Sequence, residues 1–329
     1  MKKICLVYRR PVKEFFSIEK VFSIIKERLQ KLFLISEVAV PNNRVTVAGL
    51  IQNILFASRS KADVYHVTGD IHYAVFAFPS KKTVLTIHDC VFLYKYTGIK
   101  KKLLEFLFLK WPVKYCRLVT TISEATKKDI IKNTGCRADK VVVIPNPLPE
   151  HIWYTPQAFR KTEPVLLFIG ITENKNLSRV IAALKDLPGI LHIIGVIPDD
   201  KKNLLEQQGL KWTNSFFLNE QELGEKYSEA DIILFPSLFE GFGLPILEGQ
   251  KAGRPVITSN MEPMNEIAGQ GACLVDPTSI TSIRSGILKV IEDAEYRDEL
   301  VKQGFENIKR YNPDRISEQY AMVYNQIGN

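Results

Sequence analysis

Short runs of apolar residues, rich in valine and isoleucine, alternate along this chain with longer segments whose apolar residues recur every three or four positions. Helix-like segments of this second kind occupy 17–32 and 47–60. Because a strand that is apolar on both faces must be covered on both faces, the alternation predicts a parallel sheet between layers of helices. The strand-like runs of the first half are 3–8, 36–40, 62–68, 82–89, 117–123 and 139–146.

The same alternation of apolar runs and helix-like segments starts again in the second half, after a segment at 145–164 that holds five prolines. We predict an α/β protein of two doubly wound, Rossmann-like domains: 1–155, joined by a C-terminal helix at 312–329, and 156–311. Ligands of such sheets bind at the carboxyl ends of the strands, so we expect the two domains to face each other across a cleft. The apolar runs of this half are 164–171, 190–196, 215–218, 230–237, 254–259 and 272–276, with helical patterns at 177–187 and 318–328.

Charge and cysteine content limit the kinds of partner and the cellular compartment that we expect for this chain. The formal net charge of the 329 residues is +8, which suits a polyanionic partner or an anionic membrane and does not choose between them. The five cysteines are widely spaced, which indicates free thiols in a reducing compartment. No apolar run has the length of a signal-peptide core or a membrane span, so we expect a cytoplasmic protein whose membrane contact is peripheral. We expect no nucleic-acid partner, since no known binding module is recognisable.

The stretch FPSLFEGFGLPILEGQKAGRPVIT, at 235–258, holds two glutamates eight residues apart, with backbone-shaping residues between them. An apolar run precedes the turn, and Pro245 suits the first turn of a helix. Free amides at the start of that helix, together with its dipole, would bind an anion such as a diphosphate. Glu240, before the helix, and Glu248, expected in its first turn, could accept hydrogen bonds from the hydroxyls of a sugar and of a ribose. The residues that we predict to bind the anion through their backbone are Gly241, Phe242, Gly243 and Leu244.

The segment SLFEGFGLPILEGQKAGRPVITSN resembles the signature of the family-4 retaining glycosyltransferases, which have the two-domain GT-B fold. The resemblance implies an E-x7-E pair that lines a nucleotide-sugar site, and a hexosyltransferase-type enzyme of class EC 2.4. It implies transfer with retained anomeric configuration, in which no protein nucleophile is required. The chain has no Asp-x-Asp, and no His/Cys set with zinc spacing, so we expect metal-independent chemistry without a cofactor.

Two further segments, 166–177 and the strand end at His88, gain roles from the same resemblance. In LLFIGITENKNL, at 166–177, Gly170 and Lys175 follow a strand, and the lysine would meet the diphosphate and offset charge on the leaving group. Asn176 would cap the following helix and help to bind the donor. Many family members carry an arginine in this loop, where this chain has Ile171 and Asn174. His88 ends an apolar strand with an acid beside it and corresponds to a family histidine that contacts the transferred sugar. We therefore predict Glu240, Lys175 and His88 as the catalytic group.

The remaining predicted contacts concern the nucleotide base and the acceptor. Phe217 and Leu218 fall where the backbone of the family surrounds the base. For the acceptor, the basic turn YRRPVKEFF replaces the glycine-rich turn of other members, and Ser123 opens a helix near the expected cleft. Surface or core roles remain the alternative for each of these residues. The side chains that we expect to meet an acceptor phosphate, sugar or lipid are Arg9, Arg10, Phe15, Phe16 and Ser123.

Residues 100–116 begin with three lysines and continue as a helix that is apolar around most of its surface. Such a helix either lies on an anionic membrane or is buried within the first domain, and both interpretations remain open.

We expect a retaining glycosyltransferase of cell-surface polysaccharide or lipopolysaccharide biosynthesis at the inner face of the membrane. Its partners would be a nucleotide-sugar donor and a saccharide or lipid-linked acceptor. The alternatives are a non-catalytic nucleotide-sugar-binding protein and a GT-B-type sugar-nucleotide epimerase.

Overall fold

The computed structural model describes residues 1–10, 17–43, 46–90 and 97–327, with only the backbone of Ser17 and Lys100. The chain divides into two compact units. Unit 1 comprises Met1–Pro147 and Tyr311–Asn329, and unit 2 comprises Leu148–Arg310. Unit 2 is therefore inserted between two segments of unit 1.

Within its described residues, unit 1 contains a six-stranded, fully parallel sheet of order β2-β1-β3-β4-β5-β6. Four of its strands are buried along nearly their whole length, as continuous apolar runs predict. The strands are β1 (Lys3–Tyr8), β2 (Leu34–Ala39), β3 (Val64–Val67), β4 (Thr83–Ile87), β5 (Leu118–Thr121) and β6 (Val141–Val143). The helices are α1 (Ser17–Leu29), α2 (Val47–Ala57), α3 (Gly98–Glu105), α4 (Trp111–Tyr115), α5 (Glu124–Thr134) and, from the C-terminal segment, the last helix (Pro313–Gln326); a π-helical turn (Phe106–Lys110) joins α3 to α4.

Unit 2 repeats the design with the order β12-β11-β10-β7-β8-β9, again fully parallel. This is the Rossmann order, and its reversal point lies between β7 and β10. The strands are β7 (Val165–Ile169), β8 (Ile190–Ile194), β9 (Trp212–Ser215), β10 (Ile232–Phe235), β11 (Val256–Ser259) and β12 (Cys273–Val275). The helices are α6 (Leu177–Leu184), α7 (Asp199–Gln207), α8 (Glu220–Glu229), α9 (Leu244–Lys251), α10 (Met264–Ala268), α11 (Ile280–Glu292) and α12 (Ala294–Ile308); the last helix of unit 1 is α13.

The C-terminal helix α13 is fastened to unit 1 by a buried polar cluster. His66, on β3, contacts the Tyr324 hydroxyl through Nδ1 at 2.6 Å and the Thr86 hydroxyl through Nε2 at 2.7 Å. Phe22, on α1, packs edge-on against both His66 and Tyr320. Burial lowers the pKa of His66 to about 3, so the ring is neutral and both nitrogens serve as hydrogen-bonding groups.

The predicted α/β class is confirmed, while one strand was placed wrongly. The apolar run 215–218 was expected as a strand, but β9 ends at Ser215, and Phe216 and Phe217 follow it with 52% and 89% of their surface exposed. The strand itself is an edge strand of mixed polarity, which a search for apolar runs passes over. Within the part of the chain that the structure describes, no helix is long and apolar enough to cross a membrane.

Candidate functional site

The candidate site forms where the loops after β7 and β10 meet, at the reversal point of the unit 2 sheet. Loops at such a point lead to helices on opposite faces, which opens a crevice at the strand ends. Here the Lys175 ammonium donates a hydrogen bond to the Glu240 carboxylate, with 2.7 Å between Nζ and Oε1. These side chains keep 19% and 14% of their surface exposed, so a ligand can reach both. Sequence reasoning selected both residues, and the structure brings them together.

Asn174 ties the same two loops to each other. Its carbonyl accepts a hydrogen bond from the Leu238 amide at 2.7 Å. Its side-chain amide donates to the Phe239 carbonyl at 3.1 Å and to Glu240 Oε1 at 3.2 Å. Glu240 Oε1 thus accepts from both Asn174 and Lys175, which fixes the orientation of the carboxylate. The sequence marked Asn174 only as a place where an arginine is common, because its contacts depend on the adjacency of β7 and β10.

Gly170 makes room for the lysine at the end of β7. Its φ is +88°, in the left-handed region that favours glycine. A Cβ at this position would lie 3.0 Å from Lys175 Cε and 3.1 Å from Lys175 Cγ. The ammonium also lies 4.5 Å from the centre of the Phe235 ring, which ends β10. Gly170 therefore positions Lys175, and its predicted contact with a donor stays a prediction.

Helix α9 starts as the sequence predicts. Gly243 precedes it with a φ of +105°, Leu244 and Pro245 occupy its first two positions, and no side chain among the described residues caps it. Pro245 has no amide hydrogen and the Ile246 amide donates to the Gly243 carbonyl at 3.0 Å, so the amides that this start offers to an anion are those of Gly243 and Leu244. Phe242 is buried and Gly241 is half-buried, so Phe242 could meet a ligand only through its backbone.

Glu248 lies one turn further along α9 than predicted, since it is the fifth residue of a helix that starts at Leu244. It is 7% exposed, accepts a short hydrogen bond from the Tyr227 hydroxyl, and lies 3.9 Å from His151 Nε2. Burial and the neighbouring carboxylate raise the pKa of Tyr227 well above its usual value, so the phenol stays a donor. This buried pair was not expected, and the binding of ribose hydroxyls by Glu248 stays a prediction.

Asn176 does not cap α6 with its side chain, so that prediction was wrong. Its φ of 72° is left-handed, and its side-chain amide donates instead to the carbonyls of Pro236 and Pro277, at 3.0 and 2.7 Å. Arg179 donates to its side-chain oxygen at 2.9 Å. Asn176 is thus a buried tie between the segments after β7, β10 and β12, and its predicted donor contact would have to be indirect.

Phe217 and Leu218 follow edge strand β9. The Phe217 backbone has a φ of 56°, which a phenylalanine adopts at a cost, while its ring is almost fully exposed and contacts Phe216 edge-on at 5.4 Å. Leu218 is half-buried. An exposed aromatic ring in a strained turn can stack on a planar ligand, although the contact with a base stays a prediction.

In unit 1, His88 follows β4 and donates through Nε2 to the Thr68 carbonyl at 2.7 Å. A carbonyl can only accept, so the neutral ring leaves Nδ1 as an acceptor. Burial lowers the pKa of His88, which favours this neutral form. Gly69 lies against the ring, since a Cβ there would be 2.7 Å from His88 Cδ2.

The predicted acceptor residues differ in their surroundings. Arg9 is held by the carboxylates of Glu19 and Asp70, which offset its charge. Arg10 is exposed and donates to the Pro41 carbonyl at 3.1 Å. Ser123 has no exposed surface and caps α5 by accepting from the Thr126 amide, and its contact with an acceptor stays a prediction. Phe15 and Phe16 lie outside the described residues.

No group of three or more His, Cys, Asp and Glu side chains with the geometry of a metal site occurs within 1–10, 17–43, 46–90 and 97–327. The fixed positive charge beside Glu240 comes instead from Lys175.

Two family models cover most of the chain. The model of glycosyl transferases group 1 matches 152–307, and that of glycosyltransferase family 4 matches 24–150. The chain belongs to the group 1 glycosyltransferases. O-antigen chain mannosyltransferase B of Escherichia coli is 27% identical over 63% of this chain and 60% of its own length. O-antigen chain mannosyltransferase RfbU of Salmonella typhimurium is 27% identical over 81% of this chain and 82% of its own.

This family member also shares its fold with solved structures. Alr3699/HepE of Anabaena, crystallised with UDP and glucose, superposes with a TM-score of 0.78 at 17% identity, over 99% of this chain and 100% of that one. Such a likeness confirms the predicted GT-B class of two Rossmann-like domains.

Proposed function

We propose that this chain transfers a sugar from a nucleotide-sugar donor to a saccharide or lipid-linked acceptor, with retention of the anomeric configuration. The observation that carries the proposal is the Lys175–Glu240 pair beside the uncapped start of α9, at the reversal point of the unit 2 sheet. Ligands of open α/β sheets bind at this point, and the crevice has the cation and the free amides that a diphosphate requires.

In the proposed reaction the amides of Gly243 and Leu244, at the start of α9, and the Lys175 ammonium bind the diphosphate. As the bond between sugar and phosphate breaks, negative charge grows on the leaving oxygen, and fixed donors stabilise that charge most where little water is present. Glu240 holds Lys175 in place and offers its second oxygen, Oε2, to a sugar hydroxyl. Because Glu240 Oε1 already accepts from Lys175 and Asn174, we assign Glu240 to positioning and electrostatics.

Retention and metal independence are part of the same proposal. In the front-face transfer that the family resemblance implies, the acceptor hydroxyl attacks from the side that the diphosphate leaves, and the departing phosphate oxygen takes its proton. Lys175 and the α9 amides supply positive charge of the kind that a bound metal ion supplies elsewhere. We therefore expect turnover to continue in the presence of a chelator.

His88 would serve the transferred sugar as a neutral hydrogen-bonding group. Its Nε2 is committed to the Thr68 carbonyl, which orients the ring and leaves Nδ1 to accept from a hydroxyl. A histidinium there would donate from both nitrogens, so the lowered pKa favours the state that can accept.

The substrates are proposed from the relatives. Two of them are named as O-antigen chain mannosyltransferases, and HepE was crystallised with UDP and glucose. We propose a role in the assembly of a cell-surface polysaccharide or lipopolysaccharide, at the cytoplasmic face of a membrane, where a lipid-linked acceptor would be presented. Phe217, exposed beyond β9, would contact the nucleotide base.

The test begins with a screen of UDP-, GDP- and dTDP-sugars for thermal stabilisation of the chain, which reports binding without assuming an acceptor. The donor so found is then incubated with lipid-linked acceptors while nucleotide release and product anomer are measured. Transfer with retention supports the proposal. Stabilisation without transfer would indicate a binding protein, and epimerised donor without acceptor would indicate an epimerase.

A further inference from the structure

The segment 98–115 has a buried inner face and an apolar outer face. On the inner face, Leu109 and Val113 are fully buried, so this side of the helix packs against the core of unit 1. On the outer face, Ile99, Leu103, Phe106 and Trp111 are exposed by 86%, 55%, 50% and 47%. The segment was expected either to be buried in the first domain or to lie on a membrane. One side of it is buried, and the opposite side is apolar and exposed.

These outer residues form one continuous row. Residues 99, 103 and 106 are spaced by four and three positions, which places them on one side of a helix. The Phe106 ring lies 5.5 Å from the Trp111 ring, beyond the π-helical turn. From Ile99 to Trp111 the row is about 18 Å long at the usual helical rise. Single exposed apolar residues are ordinary, but a row of four large ones on one helix marks an interaction surface.

A basic cavity of about 560 Å³ adjoins the end of this row. It lies where β4, β5 and β6 begin, and four cations line it: Lys81, Arg117, Arg137 and Lys140. Arg137 forms an ion pair with Asp139, which offsets the charge of that carboxylate. Asp139 is the one acidic residue among the described residues that line the cavity.

Aromatic contacts join the row to the cavity. Phe76 packs against Trp111 at 4.8 Å and against Tyr115 at 5.1 Å between ring centres, and Tyr115 lines the cavity. The exposed Lys110 and Lys114 lie along the same stretch. Glu105 is paired with Lys110 at 2.7 Å, so its charge does not oppose an anionic partner.

We propose that this face of unit 1 binds the surface of an anionic lipid bilayer. Ile99, Leu103, Phe106 and Trp111 would enter the interface between headgroups and acyl chains, while Lys81, Arg117 and Lys140 bind the phosphate of a headgroup in the cavity. Aromatic rings and lysines suit this interface because the rings are amphipathic and the lysines meet anionic headgroups. A protein partner would match the apolar row equally well, but a row that ends in a strongly basic cavity matches an anionic bilayer better.

The inference rests on the proposed membrane location, but the vesicle-binding measurement that tests it uses neither donor nor acceptor. The purified chain is floated with vesicles of phosphatidylcholine alone and of an equal mixture with phosphatidylglycerol. We expect binding to the anionic vesicles that is at least tenfold stronger than to the neutral ones and that weakens as salt is raised. The pair Leu103→Ser and Phe106→Ser should lower binding more than tenfold, and so should the pair Lys81→Glu and Arg117→Glu.

Matched controls separate these effects from general surface changes. Met322→Ser alters a residue of unit 1 that is 62% exposed, and Lys202→Glu reverses a charge on α7 of unit 2. Both controls should bind vesicles as the parent chain does. Absence of vesicle binding, equal binding to both compositions, or equal losses in the controls would overturn the inference. The variants that lose vesicle binding should still release nucleotide in the presence of a donor and a water-soluble acceptor. Loss of membrane binding is then distinguished from failure of the proposed transfer reaction.

Discussion

The Lys175 ammonium lies 2.7 Å from the Glu240 carboxylate, although the two residues are 65 positions apart in the chain. They meet because β7 and β10 are neighbours in the sheet and each carries one of them on the loop at its carboxyl end. The pair holds a cation beside the first turn of α9 before any ligand arrives, so little reorganisation is needed when a diphosphate binds.

Glu240→Gln should leave the fold intact and lower turnover. The amide keeps the size of the side chain but removes the charge that orients Lys175. We expect kcat to fall about 100-fold, as for the loss of one preorganised electrostatic group. The measurement is steady-state kinetics together with the midpoint of thermal unfolding. Glu229→Gln, which changes an exposed pair with Lys226, is the control. A kcat equal to that of the parent chain would contradict the proposed role of Glu240 in turnover.

Lys175→Ala should weaken donor binding. Loss of a charge-assisted hydrogen bond to phosphate corresponds to a decrease in affinity of roughly 10- to 100-fold. The measurement is calorimetric titration with the donor identified by the thermal screen, repeated with the free nucleoside, which lacks phosphates. Nucleoside affinity should stay unchanged. Equal losses for donor and nucleoside would show that the lysine acts on the fold of the loop and not on the diphosphate.

Gly170→Ala should impair the site beyond its effect on stability. A side chain at this left-handed position costs about 1–2 kcal/mol of the free energy of unfolding, and here the new Cβ also meets Lys175. Gly209→Ala is the matched control, since Gly209 has a φ of +63° with nothing within 4 Å of the added Cβ. We expect similar losses of stability and weaker donor binding only for Gly170→Ala. Unchanged donor affinity in Gly170→Ala would contradict the positioning of Lys175 by this glycine.

Unit 1 should lose stability in mild acid. His66 has a pKa of about 3 in the folded chain, because burial and the nearby His88 disfavour its charged form. In the unfolded chain a histidine binds a proton below about pH 6.5. Between these values the unfolded state holds one more proton, so the free energy of unfolding falls by up to about 1.4 kcal/mol for each pH unit below 6.5.

The lowered pKa values of His72 and His88 act in the same direction. Denaturant unfolding from pH 7.5 to pH 4 in chains that keep Trp111 as their only tryptophan reports unit 1. His66→Gln should reduce the slope of the free energy of unfolding against pH by the contribution of about one bound proton. An unchanged slope in that variant would show that other groups cause the acid sensitivity.

The sequence predicted those features that depend on local pattern. Strands buried on both faces are apolar throughout, so the two sheets could be recognised, and the residues from Glu240 to Pro245 mark the start of α9. Contacts between distant segments could not be predicted. The Tyr227–Glu248 hydrogen bond joins two helices, and the ties of Asn174 to Phe239 and Glu240 exist only once β7 and β10 are adjacent.

Other misses have a simple physical cause. β9 lies at the edge of its sheet and needs no apolar run, whereas the exposed phenylalanines after it form one, which is why the apolar pattern predicts the strand at 215–218. Helices α7 and α8 have few apolar residues, and their patterns were not recognised.

The insertion of Leu148–Arg310 within unit 1 has a consequence for biosynthesis. Tyr320 and Tyr324, which cover Ile4, Phe22 and their neighbours in one layer of the core, are translated only after every residue of the inserted unit has been made. During that interval the first sheet leaves the ribosome with an apolar face uncovered. The inserted unit has its own sheet and core, and it can reach its final form while the unit that began first still awaits its last helix.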